Sequence, residues 1–163
     1  MSIFLPNSVA KPVPVFLLLS HRDPDSTDWT RKVKKPFWPV EQIIARGYGT
    51  AAIHVTDFAP DRRDGWKHGV HTIFDNPGEG SGDGWGTLTA WAWTGSRAMD
   101  YFETDGDIDS TKVAVVGQSR GGKTSLWAGA RDERFAMAVS NCCLLYTSPS
   151  PRDLSTSRMP SSA

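Results

Sequence analysis

The apolar run Val113-Ala114-Val115-Val116 leads directly into Gly117-Gln118-Ser119-Arg120-Gly121, and a helical stretch over 123–130 follows. A G-x-S-x-G motif set between a strand and a helix constrains the fold more than any other feature of the chain. The tight strand-to-helix turn leaves no room for side chains on either side of the serine, so small residues flank it. That turn lifts the hydroxyl clear of the sheet, where a base can take its proton, and the following helix N-terminus turns N–H groups toward a developing oxyanion.

The rest of the chain repeats the same alternation. Val13 to Leu19, which contains Pro14, reads as a buried strand, and the charged, turn-rich stretch 21–35 reads as a surface connection. Pro39 opens a short helix with Val40, Ile43 and Ile44 on one face. Gly47 stands where a helix end favours positive φ. Thr50 to Val55 fits a strand buried on both faces. The long stretch 57–83, rich in Gly, Asp and Pro, carries little period beyond a possible turn near 66–73. Trp85, Leu88, Trp91, Gly95, Ala98 and Phe102 then recur at helical spacing, with Asp83 available as N-cap. On this pattern Trp85 and Trp91 belong to the core rather than to a sugar-stacking platform. Thr104 to Ser110 is turn-rich, and Phe135 to Ser140 reads as another strand. Alternating strands and helices predict an α/β chain with a parallel central sheet covered on both faces, and the G-x-S-x-G elbow makes the expected architecture a three-layer α/β-hydrolase fold.

At 163 residues the chain is short for that fold, so residues 1–142 are expected to form an incomplete domain lacking its C-terminal part. After Asn141 the composition turns to Ser and Pro without apolar period, and 143–163 is expected to be a disordered or non-native tail. That tail also resembles translated adapter DNA joined to a coding sequence. Eighteen basic residues balance eighteen acidic ones, so no net field points to nucleic acid or an anionic membrane. The apolar runs are too short to cross a bilayer core of about 30 Å. Cys142 and Cys143 are adjacent, which suits neither a disulfide framework nor a metal site. No metal and no cofactor are expected.

Residues 117–124, Gly-Gln-Ser-Arg-Gly-Gly-Lys-Thr, also satisfy G-x-x-x-x-G-K-[ST], so a phosphate-binding P-loop is a rival reading. Such a loop normally opens its domain and precedes a strand ending in a Mg²⁺-binding Asp, whereas this motif follows at least two strands and two helices. An inactive hydrolase-like scaffold is a third possibility.

Ser96-Arg97-Ala98-Met99-Asp100-Tyr101, Val115-Val116-Gly117-Gln118-Ser119-Arg120-Gly121-Gly122-Lys123, Trp127-Ala128-Gly129-Ala130 and Asp132-Glu133-Arg134-Phe135 closely resemble bacterial glucuronoyl esterases of carbohydrate esterase family fifteen. Lys11 to Phe16 and Asp57 to Asp64 are similar too. The resemblance implies a serine esterase acting on glucuronoxylan or a related sugar ester, with acetyl xylan esterase activity as an alternative. It casts Ser119 as nucleophile, Arg120 as oxyanion stabiliser and Lys123 as a ligand of sugar hydroxyls. It also implies export, with a signal peptide upstream.

One departure stands out. The fold orders its triad Ser, acid, His, yet His21, His54, His68 and His71 all precede Ser119. The four are therefore expected to be ordinary loop or strand residues, and neither the general base nor the acid can be assigned. Asp57, Asp61, Arg62, Arg63 and Asp64 follow a sheet strand, where they either line the cleft or form a solvated charged loop.

Overall fold

A computed structural model describes residues 1–22, 24–74 and 84–141. The expected tail, Cys142 and Cys143, and the Asp83 cap lie outside the described residues. The strands are β1 (Ser2–Phe4), β2 (Val13–Ser20), β3 (Gly49–His54), β4 (Ile108–Gln118) and β5 (Met137–Asn141). The helices are α1 (Val40–Ala45), α2 (His71–Phe74), α3 (Thr87–Phe102) and α4 (Arg120–Arg131).

The strands form one sheet in the order β1-β3-β2-β4-β5. From β3 to β5 every neighbouring pair is parallel, as expected. β1 corrects the all-parallel expectation, because it runs antiparallel along β3, pairing Ser2 with Ala52 and Phe4 with Thr50. Three residues are too few to show a period of two, so its pairing partner decides the strand. β4 also starts earlier than its apolar run, since Ile108 to Ser110 already belong to it. Pro14 lies where the β2–β4 register shifts, between Val13 and Val15. A residue with no N–H to give to the ladder is accommodated at such an irregularity.

Period-two alternation sends β2 side chains to two cores. Val15, Leu17 and Leu19 join Ala51, Ile53, Val113 and Val115 beneath α3 and α4, with Trp91, Met99, Phe102 and Ala128 closing the layer. On the opposite face Leu18 and Ala52 pack with Trp38, which precedes α1, and with Val40 of α1. Helices thus cover both faces and make three layers. At the end of α1, Gly47 adopts φ +84°. Its N–H reaches Ile44 O at 2.9 Å and that of Tyr48 reaches Ile43 O at 3.3 Å, a Schellman termination.

α3 begins at Thr87 after Gly86, two residues later than its apolar period. Trp91 is fully buried and donates Nε1–H to Ala59 O at 2.7 Å, whereas Trp85, ahead of the helix, is only half-buried against the core. Arg134 ties the far end of α3 to the α4–β5 connection. Its guanidinium donates to Asp132 at 2.7 and 2.9 Å, to Asp100 and Glu103 at 2.9 Å each, and to Ser96 O at 3.2 Å. The hydrogen bonds from Arg134 hold the Asp132 carboxyl down at about 2, below its ordinary 3.8. A carboxylate with a depressed folded-state pKa contributes stability that is complete above the unfolded value and lost as pH falls through the folded one. The melting temperature should therefore drop between about pH 4 and pH 2. Asp132→Asn should flatten the profile over that window, and identical pH slopes for variant and parent would remove Asp132 from the acid response.

Candidate active site

The parallel register brings the C-terminal ends of four strands to one edge, which gathers Ser20, His54, Gln118 and Asn141. Ser119 follows β4 there with φ 55° and ψ −119°, a left-handed value rare for a residue with a side chain. Such a conformation costs about 1–3 kcal/mol and persists only where its surroundings enforce it. The enforcement is visible. Ser119 N–H donates to Asn141 O at 2.9 Å, and the N–H of Lys123 donates back to Ser119 O at 3.2 Å.

The glycines around Ser119 make this approach possible. A Cβ on Gly117 would lie 2.1 Å from Gly121 O and 2.6 Å from Ser125 Oγ. One on Gly121 would lie 2.7 Å from Leu19 O, and one on Gly122 would lie 2.6 Å from Ser140 Oγ. The first turn of α4 is therefore wedged between the ends of β2 and β5. This geometry does not favour the P-loop alternative. Residues 120–122, which would have to coil around a phosphate, are already helical, and the turn between Gly117 and Gly121 is closed by direct contact.

Ser119 is half-buried, and among the described residues nothing hydrogen-bonds its hydroxyl. Arg120 is exposed, and its Nη1 meets both carboxylate oxygens of Asp61 at 2.5 Å. Asp61 therefore belongs to the site. Arg62 and Asp64 do form a solvated charged pair, at 2.9 Å. Lys123 is half-buried in the first turn of α4, and among the described residues its ammonium has no carboxylate partner.

His21 was expected to be an ordinary loop residue, yet it closes β2 against the elbow. It is 9% exposed and stacks on Trp91 with ring centroids 5.7 Å apart. Its Nδ1 would lie 3.4 Å from a Cβ on Gly121, and its Nε2 accepts from Arg22 Nε at 3.0 Å. Burial first, and then the Arg120 and Arg22 cations, push its pKa below 6.5 despite the opposing pull of Asp61. The ring has one nitrogen already engaged by Arg22. With Leu19, Ser20, Arg22, Phe37 and Gln118 it lines a cavity of about 100 Å³. At the end of β3, His54 Nδ1 lies 3.0 Å from Asp57 Oδ1.

A strained serine on a glycine-walled elbow, with an arginine beside it and a helix N-terminus behind it, can present a nucleophile and receive negative charge. The family model for glucuronyl esterase of fungi matches residues 2–143. A carbohydrate esterase of an unknown prokaryotic organism is 41% identical over 86% of this chain. 4-O-methyl-glucuronoyl methylesterase 1 of Sodiomyces alcalophilus is 44% identical over 37% of the chain and 12% of its own length. A solved glucuronoyl esterase of Solibacter usitatus superposes with TM-score 0.70 at 38% identity, covering 82% of this chain and 40% of that one. A family 15 glucuronoyl esterase of Teredinibacter turnerae follows with TM-score 0.68 at 32% identity, over 82% of this chain and 34% of its own. The chain spans 39% of the length of the prokaryotic relative. With the α/β-hydrolase sheet, the elbow and the match over nearly all described residues in agreement, this chain belongs to the glucuronyl esterase family.

Proposed function

We propose that residues 1–141 are the nucleophile-bearing part of a serine esterase that cleaves glucuronate esters on plant cell-wall xylan. The observation that carries this reading is the left-handed backbone of Ser119 between β4 and α4. The named activities of the relatives support the substrate class.

In this reading Ser119 Oγ attacks the ester carbonyl and its proton passes to a general base. Negative charge gathers on the former carbonyl oxygen, beside Arg120 and the free N–H groups that open α4. Collapse of the tetrahedral intermediate expels the alcohol, and water then releases glucuronate from the serine. Asp61 positions the Arg120 guanidinium. Lys123 holds sugar hydroxyls. His21 is a poor candidate for the base, because Arg22 engages its Nε2 and two cations oppose its protonation. We assign the base to a histidine that follows Ser119 in the order of the fold.

Expressed as a longer protein that supplies a histidine after Ser119, the chain should release methanol from methyl glucuronate far faster than acetate from acetylated xylan. Preference for the acetyl ester would replace this reading with an acetyl xylan esterase.

A further inference from the structure

Outside the elbow, a groove of about 300 Å³ runs between α3 and α4 and is lined by Trp85, Thr89, Trp93, Arg97, Trp127 and Arg131. Two aromatic–guanidinium pairs line it. Arg97 lies 5.4 Å from the ring centre of Trp93 on α3, and Arg131 lies 5.9 Å from that of Trp127 on α4. Trp85 packs edge-on against Trp93, with centroids 6.4 Å apart, and braces that side. Trp127 is 45% exposed, a large apolar face left to solvent. No lining residue is acidic. Arg97 shares its charge with Asp100 at 3.1 Å, whereas Arg131 has no carboxylate partner among the described residues.

Each half of this arrangement selects a different property of a ligand. An exposed indole beside hydroxyl and guanidinium groups suits a flat ring with an apolar face and polar rim, as a pyranose has. A guanidinium fork matches a carboxylate in two parallel hydrogen bonds. Together they describe a sugar carrying a carboxylate. We infer that the α3–α4 groove binds a uronate-bearing glycan at a place separate from the elbow. The identity of the glycan rests on the reading of Ser119 as the nucleophile of a glucuronate esterase. An ester presented to Ser119 has no charge on its carboxyl, so the groove holds the free glucuronates of the same polymer. α4 carries both places. Its N-terminus adjoins the nucleophile, and Trp127 lies seven residues further, a rise of about 10 Å. A polymer of several sugar units can reach from one to the other.

The test is binding of the 163-residue chain, by calorimetry, to glucuronoxylan with free carboxyls, to the same polymer after carboxyl reduction, and to polyglutamate. Trp127→Ala and Arg131→Gln are tested in parallel, since both side chains are on the surface and neither belongs to the elbow. Carboxyl reduction and Trp127→Ala should each weaken binding about tenfold, and Arg131→Gln several-fold. The carboxyl-reduction arm uses the parent chain and stands even if a variant misfolds. Absence of binding, equal binding after carboxyl reduction, equal binding by both variants, or polyglutamate bound as tightly as the glycan would each overturn the groove. Methanol release from monomeric methyl glucuronate does not involve the groove. Failure there with glycan binding intact would remove the esterase reading alone, and the reverse outcome would remove the groove alone.

Discussion

In a longer protein that supplies a histidine after Ser119, Ser119→Ala should lower methyl glucuronate turnover on the order of 10⁶-fold, the scale on which removing the nucleophile disables a serine triad. The expectation follows from the elbow. Among the described residues only Ser119 has left-handed backbone there, and the hydroxyls that follow it in α4, Thr124 and Ser125, are buried and bonded back to Arg120 O and Gly121 O at 2.9 Å each. A residual rate within tenfold of the parent would mean that another group does the chemistry. The same logic applies to the 163-residue chain, which holds no histidine after Ser119. Its hydrolysis rate should match the buffer blank, since a serine hydroxyl without a base is a weak nucleophile. Turnover by this chain that Ser119→Ala abolishes would show instead that His21 or His54 serves as base.

Arg120→Ala in that longer protein should lower kcat by about 100- to 1,000-fold, or about 2.7–4 kcal/mol, the loss expected for one oxyanion donor. KM should scarcely move, because the charge that the guanidinium meets exists only in the transition state. Lys123→Ala should show the opposite split. An ammonium that holds the sugar ring acts on bound substrate and transition state alike, so its removal should raise KM for glucuronate esters and leave a simple aryl acetate almost unaffected. Steady-state kinetics on the two substrates separates the cases. If Arg120→Ala leaves kcat within a few-fold of the parent, the pair with Asp61 is its whole purpose and the backbone N–H groups carry the oxyanion alone.

Local chemistry made much of this chain legible. The elbow announced itself through Gly117, Ser119 and Gly121, the end of α1 through Gly47, and the apolar face of α3 through its period. What escaped was set by pairing between distant segments. β1 is too short to carry a pattern, and its place comes from β3. His21 reads as one more polar residue after a strand until the register of β2 on β4, Leu18 opposite Val116, carries it to the elbow. Asp61 and Arg120 are 59 residues apart. Their opposite charges were visible, but with so many charges on the loop nothing local distinguished Asp61 from Asp57 or Asp64.

The position of β5 at the end of the strand order bears on how this chain behaves in solution. Among the described residues β5 has a neighbour on one side only, and its outer edge is a row of amide and carbonyl groups still able to pair. An open edge of this kind is a template for growth. In a chain expressed by itself it invites a second copy, so concentration decides whether the chain stays dispersed or assembles edge to edge.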